Sequence, residues 1–149
     1  MQPKSAHKKP IRCITVRNPS VEQILQIAEL YRAEGWWQAH DDDRDRLIPR
    51  LIEGSHCFMI ALEGDEIVGM GRAISDGVSD AYIQDLTVRK ERRRQGIGGM
   101  VLHALLESLH ADGISWIGLI AEPGSFDLYL HAGFRKMQES VPMLMNEKP

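Results

Sequence analysis

The segment D-L-T-V-R-K-E-R-R-R-Q-G-I-G-G-M, Asp85 to Met100, constrains this chain most, because it joins the end of an apolar strand to a dense basic turn and a glycine-rich helix start. A helix N-terminus presents unpaired backbone N–H groups and a partial positive charge, and glycines let an anion approach the backbone with no Cβ in the way. Gly96, Gly98 and Gly99 supply that access. Lys90, Arg92, Arg93 and Arg94 add charge, and an arginine can hold one phosphate through two parallel hydrogen bonds. A pyrophosphate suits the pattern; the alternative for a Gly-x-Gly-Gly is a tight turn with close helix packing. The segment fits neither the dinucleotide fingerprint, since Val101 holds the third glycine position, nor a P-loop, since no Gly-Lys-Ser/Thr ending follows.

The flanking patterns place this segment within one domain. A chain of 149 residues is long enough for a single core. Residues 1–10 are polar and basic and are expected to form a flexible tail, with the domain running over 11–149. Ile11 to Val16 alternates as a strand, and Asn18-Pro19-Ser20 breaks it and caps a helix whose apolar positions run from Val21 to Tyr31 before Gly35. Asp41, Asp42 and Asp43 precede Leu47, Ile48, Leu51 and Ile52, which suits a second helix, short or kinked because of Pro49. Cys57 to Leu62 and Ile67 to Ile74 read as a hairpin around Glu63-Gly64-Asp65-Glu66, extended by Ala81 to Val88 into a three-stranded meander. Helical spacing returns from Ile97 to Leu109 and stops at Asp112-Gly113. The apolar run Ile114 to Ala121 predicts a parallel strand buried on both faces. A short helix from Phe126 to Ala132, capped by Ser125 and closed by Gly133, then leaves Phe134 to Met137 and Val141 to Met145 as a last hairpin.

Composition narrows the function classes. With 43% hydrophobic and 26% charged residues the chain is that of a globular protein, and a net charge of -3 with no aromatic-rich basic surface argues against a nucleic-acid partner. No apolar run approaches the roughly 18–20 residues of a membrane span, and no apolar segment follows the early lysines, so no membrane association and a cytoplasmic location are expected. Cys13 and Cys57 have no CxxC spacing and read as buried thiols. His40-Asp41-Asp42-Asp43 has no second ligand group at suitable spacing, and no metal is expected. His103 and His110 fit a solvated helix face.

Arg93-Arg94-Gln95-Gly96-Ile97-Gly98 resembles the R/Q-x-x-G-x-G/A signature of the GNAT superfamily of N-acetyltransferases, and Leu86-Thr87-Val88 before it fits as well. Tyr129-Leu130-His131-Ala132-Gly133-Phe134 is similar to the Y-x-x-x-G-F ending of these enzymes. The resemblance is specific from Ala81 to Phe134 and general before that. It implies an α/β (α+β) GNAT-like domain, with a mixed, mostly antiparallel central sheet of about six to seven strands flanked by about four helices. It also implies acetyl-CoA as co-substrate. The backbone of Leu86, Thr87 and Val88 would pair with the pantetheine arm, Arg93, Arg94, Gln95, Gly96, Ile97, Gly98 and Gly99 would hold the pyrophosphate, and Tyr129 would lie near the sulfur as general acid. Arg94 departs from the pattern, since many relatives carry glycine there.

Acetyl transfer to an amine needs a neutral nucleophile, a polarised carbonyl and a proton for the leaving thiolate. Strand alternation puts Tyr82, Gln84 and Leu86 on one face and Ile83, Asp85 and Thr87 on the other. By the resemblance, the first face meets the acceptor, with backbone N–H groups around Leu86 to Val88 on the carbonyl oxygen. Deprotonation would run through water held by Tyr82 and Gln84 or through Glu122 as base; a turn-stabilising Glu122 is the alternative, as is a packing role for Tyr129. Asp85, turned away, reads as structural. Trp36 and Trp37, between the first two helices, would contact the acceptor or cover the core. The expected reaction is direct attack by a primary amine, on a small molecule or a protein, in a ternary complex. The alternative is a catalytically inactive acetyl-CoA/CoA-binding sensor. Homodimers are an expectation from the resemblance alone.

Overall fold

The computed structural model describes residues 9–37 and 44–145. Five strands, β1 (Ile11–Thr15), β2 (Cys57–Glu63), β3 (Glu66–Ser75), β4 (Asp80–Val88) and β5 (Trp116–Gly118), form a sheet in chain order. The pairs β1–β2, β2–β3 and β3–β4 are antiparallel and β4–β5 is parallel. Helices α1 (Val21–Ala33) and α2 (Arg44–Glu53) cover one face, and α3 (Ile97–Ala111) covers the other. The short α4 (Phe126–His131) packs beside α3 through Leu128.

The local signals act as expected. Ser20 and Gln23 close a reciprocal capping box at the start of α1, and Gly35 ends it at φ 72°. Gly64, at φ 63°, turns the β2–β3 hairpin. Helix α2 contains Pro49 and is ten residues long. The expected acidic start of α2 at Asp41 to Asp43, the tail over 1–8 and His40 lie outside the described residues. No helix among the described residues is long and apolar enough to cross a membrane.

Three expectations are corrected. Among the described residues the sheet has five strands, not six or seven. Strand β5 is confined to Trp116–Gly118 and is not buried on both faces: Trp116, within the ladder, is 44% exposed, and Ile120, beyond the last pair at Tyr82–Gly118, is 76% exposed. The last hairpin does not form. Its second arm contains Pro142, which has no N–H for a ladder, and Val141, Met143, Leu144 and Met145 stand exposed.

A further correction concerns which way β4 faces. Met70 pairs with Thr87 and Arg72 with Gln84, so Asp85 and Leu86 together oppose Gly71 alone. This is a β-bulge, and Asp85 takes the left-handed conformation, φ 54°, which aspartate tolerates better than most residues. The extra residue inverts the alternation. Ala81 and Ile83 face α3 before the bulge, and Leu86 and Val88 face it afterwards. Asp85 and Thr87 therefore join Tyr82 and Gln84 on the α1 side, and Leu86 leaves that side.

Candidate active site

Pairing between β4 and β5 covers only Asp80–Tyr82 against Trp116–Gly118, while β4 continues to Val88. The two strands part into a wedge at whose end lies the α3 N-terminus. A 3-10 turn over Lys90–Arg92 and two left-handed residues, Arg94 at φ 62° and Gly96 at φ 79°, reverse the chain there. The left-handed φ accounts for the fit of glycine at the position Arg94 occupies. Gly96 caps α3 with no side-chain hydrogen bond, so side-chain capping leaves the first N–H groups open. A Cβ on Gly98 or Gly99 would meet its nearest neighbours at 3.6 and 3.9 Å, ordinary contact distances. Close helix packing therefore does not require these two glycines.

Much of the basic run is bound within the protein. Arg89 donates to the Ile67 carbonyl at 2.6 Å and to Glu29 at 3.1 Å. Arg92, its side chain 12% exposed, is paired with Glu63. Arg93 bonds Glu34, which caps the end of α1, and donates through Nε to the Val88 carbonyl at 3.0 Å. The Thr87 hydroxyl donates to the same Glu34 carboxylate at 2.8 Å. These residues tie the loop to α1, β2 and β3. Lys90, Arg94 and Gln95 are exposed, the Ile97 side chain is buried, and Leu86 and Val88 are half-buried against the α3 side of the core.

Tyr129 is half-buried on α4, its ring edge-on to Phe134 at 5.9 Å. Burial pushes the Tyr129 hydroxyl above its ordinary pKa, and the nearby negative charge of Glu122 adds to the effect. Glu122 is exposed, and its carbonyl accepts from the Ser125 N–H at 3.0 Å and hydroxyl at 2.6 Å, closing the turn into α4. A groove of about 270 Å³ between α3 and α4 is lined by Gly99, His103, Leu106, Leu128, His131 and Ala132, so it adjoins the glycine turn.

On the α1 side, Tyr31 donates to Asp85 at 2.8 Å, Arg72 Nε donates to the same oxygen at 2.5 Å, and Arg72 also reaches Gln84 at 3.3 Å. Burial, then the charge of Asp85, raises the Tyr31 pKa well above its ordinary value. Trp37 stacks on the Tyr31 ring at 4.6 Å and is half-buried with the core, whereas Trp36 meets it edge-on at 5.9 Å and is 39% exposed. Tyr31, Arg72, Glu34 and Trp116 were not legible as site residues. Tyr31 and Trp116 sit in runs that periodicity assigns to core, and nothing in spacing announces the partners of Arg72 and Glu34. No group of three or more His, Cys, Asp or Glu among the described residues could hold a metal ion.

The fold agrees with comparison to known proteins. The chain belongs to the acetyltransferase (GNAT) family, whose profile matches residues 21–134. It is 36% identical over 76 residues to the uncharacterized N-acetyltransferase ycf52 of Pyropia yezoensis, covering 51% of this chain and 44% of that one; the chain thus spans less than half of that relative's length. Among solved structures, a GNAT family acetyltransferase from Streptococcus pneumoniae superposes with a TM-score of 0.74 at 24% identity, covering 93% of this chain and 100% of that one. An aminoglycoside acetyltransferase from an uncultured soil metagenomic sample superposes with a TM-score of 0.73 at 18% identity, covering 93% and 97%.

Proposed function

We propose that the protein transfers the acetyl group of acetyl-CoA to a primary amine by direct attack in a ternary complex. The observation that carries this is the α3 N-terminus at the end of the β4–β5 wedge, where two glycines leave the first turn bare although side chains would fit. Backbone N–H groups there, with Lys90 and Arg94 beside them, suit a pyrophosphate. The coenzyme supplies an activated thioester, whose C–S bond breaks as the amine nitrogen bonds the acyl carbon. Backbone N–H groups of β4 from Leu86 to Val88 polarise the carbonyl oxygen. Tyr129, a neutral phenol at physiological pH, donates the proton taken by the departing sulfur. Tyr82 and Gln84 hold the water that accepts the amine's proton, and Trp36 borders the acceptor. Glu122 as the base is the competing assignment. The chain works as a homodimer in the cytoplasm.

The test is release of free thiol from acetyl-CoA across a panel of small amines, amino acids and peptides, with Tyr129→Phe beside the parent. Turnover that falls about 10²-fold or more in Tyr129→Phe at unchanged coenzyme affinity supports the assignment. Coenzyme binding with no turnover on any amine points to a sensor instead, and absence of coenzyme binding overturns both.

A further inference from the structure

The sheet face on the α1 side is not covered evenly. Beyond Tyr31 and Arg72 the described residues leave the β3–β5 end bare, and three large side chains stand there: Ile74 at 36%, Tyr82 at 47% and Trp116 at 44% exposure. The register puts them side by side, with Ile74 opposite Tyr82, Tyr82 opposite Gly118, and Asp80 opposite Trp116. The Tyr82 and Trp116 rings meet edge to face at 5.5 Å. Gly118 makes this possible. A Cβ at that position would meet the Trp116 ring at 3.0 Å, tighter than ordinary contact, so glycine gives the indole room to fold across β5 toward Tyr82.

Two features give this platform a ligand. Its Tyr82–Gly118 pair is the last before the strands part, so it borders the wedge at the point where β4 loses its parallel neighbour. Its charge is also nearly balanced. On this face of β3 and β4, Arg72 and Asp85 neutralise each other at 2.5 Å, and Gln84 between the pair and the platform is uncharged. Among the described residues of β3 and β4 on this face, a polycation would find Asp80 alone. We infer that the acceptor is a monoamine carried on a flat aromatic ring, the ring packing on Tyr82 and Trp116 and the amine reaching past Gln84 into the wedge, an inference that rests on the proposed acetyl transfer. Aromatic pairs in offset or edge-to-face geometry favour such a ring over an alkyl chain of equal charge.

Calorimetric binding of 2-phenylethylamine, n-butylamine and spermidine, on the protein with and without CoA, tests the platform without requiring chemistry. The expected result is about tenfold tighter binding of phenylethylamine than of butylamine, with spermidine no tighter than butylamine. Trp116→Ala should erase the difference while butylamine and CoA affinities hold, and Trp116→Phe should restore most of it. Equal binding of the aryl and alkyl amines by the parent, a preference that survives both Trp116→Ala and Tyr82→Ala, or tighter binding of spermidine overturns the inference. Turnover measured in parallel separates the two proposals. A Trp116-dependent aryl preference without turnover on any amine overturns acetyl transfer and keeps the platform; turnover with no aryl preference does the reverse.

Discussion

Asp85 is where alternation along a strand and the structure part company. A period of two assumes an unbroken ladder, and no pattern in Gln84-Asp85-Leu86 marks the bulge, so the sequence places Asp85 on the wrong face; the one local hint is that aspartate tolerates a left-handed backbone. The consequence is energetic. The Arg72 side chain is 12% exposed and relies on Asp85. Asp85→Asn keeps a residue suited to φ 54° but removes the charge, and it should cost about 1–3 kcal/mol in urea unfolding, most of which Arg72→Met in the same chain recovers. Tyr31, 2% exposed, carries a pH dependence of known sign. Its folded pKa lies above the ordinary 10.0, so above about pH 10 the unfolded chain gives up a proton that the folded chain keeps, and stability falls as pH rises. The slope is about 1.4 kcal/mol per pH unit, and below pH 10 the contribution is fully present. Tyr31→Phe should flatten the alkaline limb of the stability curve by that share, at a cost of about 1 kcal/mol near neutrality for the lost hydrogen bond.

Among the elements, α1, α3 and the β2–β3–β4 meander were legible because a periodic apolar face and a turn residue mark each one independently. Strand β5 was over-read, since an apolar run measures hydrophobicity and not the length of its partner's ladder. The basic turn was legible as a motif but not as a set of contacts. Arg92 and Arg93 look like phosphate ligands in sequence, yet Glu63 and Glu34 already hold them. Arg92→Met should therefore lower stability by about 1–3 kcal/mol, by stranding Glu63 at 14% exposure, and leave coenzyme affinity unchanged. Gly98→Ala should act in the opposite sense. The methyl group fits at 3.6 Å from its nearest neighbours, so thermal unfolding should show a gain of about 0.4–1 kcal/mol, while calorimetry shows coenzyme affinity down about tenfold as the Cβ obstructs the phosphate. A stabilised variant with undiminished coenzyme affinity would remove the pyrophosphate from the α3 N-terminus.

For the molecule as a whole, the order of elements was legible from periodicity and turn residues and the glycine turn from one short motif, whereas the surface they leave open was not. The end of the described chain is one such surface. Met137, Val141, Met143, Leu144 and Met145 are 63–92% exposed, and the outer edge of β5 has no strand partner among the described residues. Exposed apolar side chains and an open strand edge are each places where another chain can add. In the proposed homodimer a second copy does so. Light scattering on the eluting protein at tens of micromolar should then give twice the mass of one chain. Replacing Val141 and Leu144 together by lysine should halve that mass with the far-UV spectrum and thermal unfolding of the domain intact, because neither side chain belongs to the core. A parent protein that is monomeric at that concentration, or a dimer indifferent to both lysines, would place subunit contact elsewhere and leave the C-terminal segment free for a different partner.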